Sequence, residues 1–185
     1  MDRRFEKDEL VYKGRVLEVH RVTLLAKDGK PIERDLVHYN GAAVILPVLA
    51  DGRIVLIRNY RYAVGESIYE LPAGNLDGAE DPRHGAAREL TEETGYRAGA
   101  IEPLGRFLAA PGSSDEMLHA FLATDLREGP QELERYEQIE VEVVSPLRVK
   151  EMVLSGEIHD AKTIAALGLY WLRGDGRAEA RHGNP

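Results

Sequence analysis

Between Gly74 and Tyr96 the chain reads GNLDGAEDPRHGAARELTEETGY, and no other stretch restricts its fold as much. Asp81-Pro82 opens a helix, with an N-cap residue ahead of a proline at the first helical position, and Gly95 closes it. At about 100° per residue, Ala86, Ala87, Leu90 and Thr94 share one sector, which is the core face. Glu89, Glu92 and Glu93 form a compact acidic stripe beside it, bordered by Arg88. Like charges one turn apart each cost roughly a few tenths of a kcal/mol on an exposed helix, and more in a cleft that holds less water. Bound divalent cations cancel that repulsion. Ligands that are all oxygen select hard ions, Mg²⁺ or Mn²⁺, and Mg²⁺ commonly bridges carboxylates to substrate phosphates. The stripe therefore points to a phosphate-ester or phosphoanhydride substrate. Taken alone, it is also what a solvated glutamate-rich face looks like, with Arg88 and Glu92 an ordinary i, i+4 pair.

Around this helix the pattern is mostly strand. Residues 10–19, 22–26 and 32–39 read as strands, and Lys27-Asp28-Gly29-Lys30 joins the last two as a hairpin. A second hairpin is expected from 42–50 and 53–60 around Asp51-Gly52, and a further strand pair from 101–109 and 117–124. Two more helices start at Ser145-Pro146 and at Asp160, and stop at Gly156 and Gly174. Strands outnumber helices and do not alternate regularly with them. That predicts an α+β fold, a mixed or antiparallel sheet with helices packed on it. The strands before residue 40 are expected to form a small antiparallel sheet of their own. Residues 174–185 contain three glycines and no apolar residue except two alanines, and read as a flexible tail.

Composition narrows the function. A chain of 185 residues with 43% apolar content suits one domain with a small extension and a real core. It has no cysteine, which excludes disulfides, thiolate metal sites and a cysteine nucleophile. Lys and Arg number 24 against 32 Asp and Glu, a net charge of −8, which argues against a nucleic-acid partner. The longest apolar run, 42–50, is broken by Pro47 and falls far short of the roughly 18 residues of a membrane span. The opening MDRRFEKDEL has no apolar leader, so a cytoplasmic protein without a membrane partner is expected.

The acidic segment resembles the Nudix box, whose pattern is G, five residues, E, seven residues, then R-E-aliphatic-x-E-E-x-G-aliphatic. Gly74, Glu80, Arg88, Glu89, Leu90, Glu92, Glu93 and Gly95 all fall in register. Tyr96 stands where the family favours an aliphatic residue, a departure that touches packing rather than chemistry. The resemblance implies an α/β/α sandwich with a mixed sheet. It also implies metal-dependent hydrolysis of nucleoside diphosphates linked to another moiety. Carried over by position, Glu89, Glu92, Glu93 and the carbonyl of Ala73 hold metal, with Glu80 a further candidate. Arg88 orients the glutamates, a supporting role of the kind that tunes metal ligands.

Three further segments and one proline are similar to the ADP-ribose and nucleoside-diphosphate-sugar pyrophosphatases of that family. They are IRNYRYAVGESIYELPAG at 57–74, Pro111, PGSSDEMLHAFLA at 111–123, and GEIHDAKTIAALGLYWL at 156–172. This resemblance implies that Glu116, in the loop after Pro111, activates or holds the attacking water, with Glu92 the alternative base. It places Arg61 and Arg58 on the substrate's phosphates or ribose, and Glu70 on its nucleotide. It also implies a homodimer built through the N-terminal strands. The expected organisation is a dimerisation extension over 1–40, a Nudix domain over 41–173 and a tail over 174–185. The expected reaction is Mg²⁺-dependent cleavage of ADP-ribose to AMP and ribose 5-phosphate, with Mn²⁺ possible. Another nucleoside-diphosphate sugar, such as GDP-mannose or ADP-glucose, is the alternative substrate. A sensor that binds such a sugar without cleaving it is the remote alternative, and the complete box stands against it.

Overall fold

The computed structural model describes residues 5–135 and 137–182, with side chains described as far as Gly174. Three strands come first: β1 (Lys7–Lys13), β2 (Leu17–Leu25) and β3 (Pro31–Tyr39), an antiparallel sheet in that order. The break falls earlier than the sequence pattern suggests. Gly14 N–H donates to the Leu17 carbonyl at 2.9 Å, so the turn lies at Gly14, and residues 19 and 22 belong to one strand. β1 has little beneath it, and Leu10, Val11 and Tyr12 are each about half exposed.

Two further sheets make the body. The first joins β7 (Ala73–Asn75), β4 (Ala42–Pro47), β9 (Met117–Thr124) and β8 (Ala100–Leu108), with β4 and β9 parallel and the other pairs antiparallel. The second joins β10 (Ile139–Val144), β5 (Ile54–Arg61) and β6 (Glu66–Glu70), all antiparallel. The Asp51-Gly52 turn forms, with Leu49 N–H donating to Arg53 C=O at 2.9 Å, but the expected second hairpin does not continue. Past the bridge between Val48 and Ile54, β4 and β5 enter different sheets. Pro47 has no N–H for a ladder, and β5 finds its partners in β6 and β10 instead. Strands β6 and β10 are findings of the structure rather than expectations from the sequence.

β4 organises the core. All six of its residues are buried, as a strand covered on both faces requires. Ala43 and Ile45 face Ala86 and Leu90 of α1 (Pro82–Thr94). Ala42, Val44 and Leu46 join a larger cluster with Ile54 and Leu56 of β5. The same cluster takes in Val149 and Met152 of α2 (Pro146–Ser155), and Ala166 and Leu167 of α3 (Ala161–His182). Each buried leucine or isoleucine contributes about 1.5–3 kcal/mol relative to exposure, so these contacts fix where the helices lie.

The helix starts match the sequence signals. Asp81 accepts from the N–H groups of Arg83 at 2.9 Å and His84 at 3.4 Å, with Pro82 at the first turn. Ser145 accepts from Arg148 N–H at 3.3 Å. Asp160 accepts from both the N–H and the hydroxyl of Thr163, at 3.0 and 2.6 Å. The expected stop of the third helix at Gly174 does not occur, since α3 runs on to His182. Gly174 and Gly176 each cost only about 1 kcal/mol against alanine in a helix, and Ala178, Glu179 and Ala180 beyond them favour helix. Of the expected tail, residues 183–185 and the side chains past Gly174 lie outside the described residues. Among the described residues, no helix is long and apolar enough to cross a membrane.

Candidate active site

The short strand β7 packs on helix α1 through Ala73 and Gly74. Ala73 N–H donates to Oε2 of Glu93 at 2.8 Å. One residue on, a Cβ placed on Gly74 would overlap the carboxyl group of Glu89. Only glycine leaves room there, so the box glycine is a seat for the box glutamate. Glu93 is almost wholly buried. Burial pushes its carboxyl up to about 8, the Ala73 N–H opposes that rise, and the negative charges of Glu89 and Glu137 add to it. Burial likewise pushes Glu89 up to about 6, against the pull of Arg88.

Arg88 collects the remaining acids. Its guanidinium donates to Glu89 at 2.7 Å, to Glu92 at 3.0 Å and to Glu80 at 3.1 and 3.3 Å. A further N–H reaches the Asn75 carbonyl at 3.3 Å, so the arginine also ties α1 to β7. A planar fork with five donors suits this task, and lysine could not make all of these contacts. Among the described residues, no three His, Cys, Asp or Glu side chains are grouped as ligands of one metal ion. Glu89 and Glu92 turn to Arg88, and Glu93 turns to Ala73.

In front of β7 lies an open cavity of about 550 Å³. Ala73 and Gly74 form part of its wall, so the carboxylates of Glu89 and Glu93 stand directly behind that wall. Glu116 lines it from the segment between β8 and β9. That carboxyl is half-buried, and burial raises it above the usual carboxylate range while the charge of Lys162 opposes the rise. Arg61, Asp160 and Lys162 are among its polar lining, and Phe107 and Leu118 among its apolar lining.

Arg61 ends β5 and grips Glu70 with both edges of its fork, at 2.9 Å from Nε and 2.5 Å from Nη2. Glu70 is buried at 2% exposure, which only a charged partner makes tolerable. Lys162 approaches it from the other side at 3.3 Å and also pairs with Asp160 at 3.0 Å. Thr163 locks the arrangement by accepting from Leu71 N–H at 2.8 Å. The structure thus brings Arg61, Glu116 and Ala73 to one cavity and seats Glu70 beneath Arg61. It does not bring Arg58 there. That side chain leaves β5 on the exposed face and lies over the ring of Tyr69, 5.9 Å from its centroid.

Three residues of this region were not anticipated from the sequence. Asp160 and Lys162 read as the start of a helix, and only the docking of α3 turns Lys162 into the cavity. Glu137, far along the chain from the box, lies close enough to Glu89 and Glu93 to act on both charges. Its only sequence signal is an acid ahead of the IEVEVV strand.

A family model described as the NUDIX domain matches residues 38–167. The chain belongs to the NUDIX family. Among curated relatives, it is 35% identical over 161 residues to an ADP-ribose pyrophosphatase of Bacillus subtilis (strain 168), covering 86% of this chain and 87% of that one. It is 35% identical over 163 residues to a GDP-mannose pyrophosphatase of Cronobacter sakazakii, covering 82% of this chain and 85% of that one. A crystal structure of an ADP compounds hydrolase superposes with a TM-score of 0.81 at 25% identity, covering 94% of this chain and 95% of that chain. The α+β architecture is therefore the NUDIX fold, and the acidic helix lies within the matched residues.

Proposed function

We propose that this NUDIX protein is a divalent-metal-dependent pyrophosphatase that cleaves ADP-ribose to AMP and ribose 5-phosphate. One observation carries the reading. The box carboxylates stand behind Ala73 and Gly74 in the wall of a cavity that Arg61, Lys162 and Glu116 also line. A diphosphate needs cationic groups along its oxygens and a carboxylate near the phosphorus to be attacked. The similarity to an ADP-ribose pyrophosphatase over most of both chains supports ADP-ribose as the substrate.

The residues present fit a divalent ion. The donors of Glu89, Glu93 and the Ala73 carbonyl are hard oxygens, the set preferred by Mg²⁺ and also taken by Mn²⁺. The room left by Gly74 holds one of these carboxyl groups at the cavity wall, and Glu92 is a further donor beside Arg88. Bound there, the ion supplies charge neutralisation of the diphosphate and a more acidic water. The chain's own residues do the rest. Arg88 sets the rotamers of Glu89 and Glu92. Arg61 and Lys162 orient the diphosphate. Glu116 accepts a proton from the attacking water at a carboxylate oxygen, and its place in the cavity lining, which does not include Glu92, favours it as the base. The phosphoanhydride bond breaks in line with the new P–O bond, and the leaving phosphate departs along the cationic side.

The similarity to a GDP-mannose pyrophosphatase favours a second reading, in which the same chemistry acts on another nucleoside-diphosphate sugar. Product analysis of an equimolar mixture of ADP-ribose, ADP-glucose, GDP-mannose and NADH with excess Mg²⁺ separates the two. Preferential loss of ADP-ribose with appearance of AMP is expected. Preferential loss of GDP-mannose or ADP-glucose would move the substrate and keep the mechanism. No loss of any would sink the enzymatic reading.

The same reading includes a homodimer through the N-terminal sheet. Leu10, Val11 and Tyr12 of β1 and Leu25 of β2 are half exposed, and a second copy would cover them. Light scattering should give twice the 20.6 kDa chain mass, and a value near the single mass would refute the dimer.

A further inference from the structure

β3 does more than complete the N-terminal sheet. Its last residues run beside the segment that joins β8 to β9. Val37 N–H donates to the Ser113 carbonyl at 2.8 Å, and Asp115 N–H donates back to the Val37 carbonyl at 3.3 Å. Val37 and Ser114 thus form an isolated parallel bridge. The Asp115 side chain extends this stitching. Its Oδ1 accepts from Tyr39 N–H at 3.3 Å, and its Oδ2 lies 2.7 Å from Nδ1 of His38.

The same chain then continues into β4, which runs parallel to β9 with Ala42 beside Leu118. From Val37 to Ala42 there are five residue steps, and from Ser114 to Leu118 there are four. One extra residue is therefore absorbed on the β3–β4 side, where Gly41 takes φ 91° and packs against the Met117 carbonyl. Along an extended segment neighbouring side chains point to opposite faces. Asp115 faces β3, and Glu116 faces the cavity. A slip of one residue would exchange them.

We infer that Asp115, held by His38 and the Tyr39 amide, is the positioning residue that fixes Glu116 in the cavity, so that the N-terminal sheet sets the geometry of the hydrolytic site. This rests on the reading of Glu116 given above. Asp115 touches no substrate in this scheme and acts only through its neighbour.

The test is a double-mutant cycle on the full chain. Glu116→Gln should lower kcat strongly. Asp115→Ala should lower kcat by about tenfold to a hundredfold with KM within about twofold, since a misplacement of about an ångström at a reacting group can cost about a hundredfold. In the Glu116→Gln background, Asp115→Ala should cost less than about twofold, because residues acting as one unit are not additive. Asp115→Asn keeps an acceptor for Tyr39 and should hold kcat within about threefold of wild type. Amide exchange at residues 113–116 should quicken in Asp115→Ala and not in Glu116→Gln.

If Glu116→Gln is impaired and Asp115→Ala costs the same factor in both backgrounds, the positioning inference fails while the reading of Glu116 survives. If Glu116→Gln turns over like wild type, the reading of Glu116 fails and the inference falls with it. Should Asp115→Ala not fold, His38→Ala removes the ring that holds Asp115 Oδ2, a ring that is 37% exposed, and carries the same cycle. Equal losses with and without Glu116 would then overturn the inference.

Discussion

The backbone N–H of Ala73 and the carboxylate of Glu93 are hydrogen-bonded at 2.8 Å, across the seam between β7 and α1. This bond orients a buried acid whose other oxygen is left for chemistry. Replacing Glu93 by Gln keeps the shape and can keep an acceptor for Ala73. It should lower kcat/KM by about a hundredfold or more, the scale expected when a group acting on the transition state is lost. The far-ultraviolet circular dichroism should not change. Wild-type turnover in the folded variant would contradict the role given to Glu93.

Stability should also report on this acid. Glu93 is pushed up to about 8 and Glu89 to about 6, against an ordinary 4.5. Between about pH 4.5 and 8 the folded chain holds protons that the unfolded chain has released. The linkage relation then makes the metal-free protein less stable as pH rises through this window, with no such penalty below it. His20, raised by its bond to Asp8, gives a slope of the same sign, so the comparison with Glu93→Gln isolates the glutamate. Thermal melts in chelator at pH 5 and pH 8 should show a smaller fall in Tm for the variant. Parallel slopes would refute the assignment.

At Gly74 the expected effect is steric. Gly74→Ala must displace the Glu89 carboxyl, because the added methyl group would occupy its place. The carboxyl is the far end of a flexible side chain, so the fold should be little destabilised while the seat is lost. Activity should fall about as far as in Glu89→Gln although every carboxylate is retained. A crystal structure of the alanine variant with Glu89 undisplaced would overturn the argument.

Arg61→Ala leaves Glu70 buried with Lys162 as its remaining cation. Breaking a buried pair costs about 3–5 kcal/mol, and the lower end applies because the Arg61 side chain is 40% exposed. Combining it with Glu70→Gln should recover part of that loss in Tm while leaving KM raised. Additive losses in the double variant would show that the pair is not coupled.

How much of this was legible in the sequence depends on distance along the chain. The box lies within a single strand–loop–helix unit, so the Asp81 cap, the core face of Leu90 and the acidic stripe could be read from spacing. The hairpin expected around Asp51-Gly52 went wrong because its turn is local while the partners of β5 are in β6 and β10. Arg58 and Arg61 look alike in sequence, three residues apart on one strand. The pleat sends one to Tyr69 and the other to Glu70. Lys162 and Glu137 depend on how α3 and the segment before β10 dock, and no local pattern encodes that.

β4 gives the enzyme its ruler. Its odd-numbered residues seat the helix that bears the glutamates, and its even-numbered ones seat the helix that bears Lys162. The span from acid to cation is thus measured through the thickness of one rigid strand and not along any loop. Loops around the mouth are free to lengthen, shorten or change their side chains for a different sugar or base. The distance over which a diphosphate must be held stays the same, so selectivity can drift without the catalytic span drifting with it.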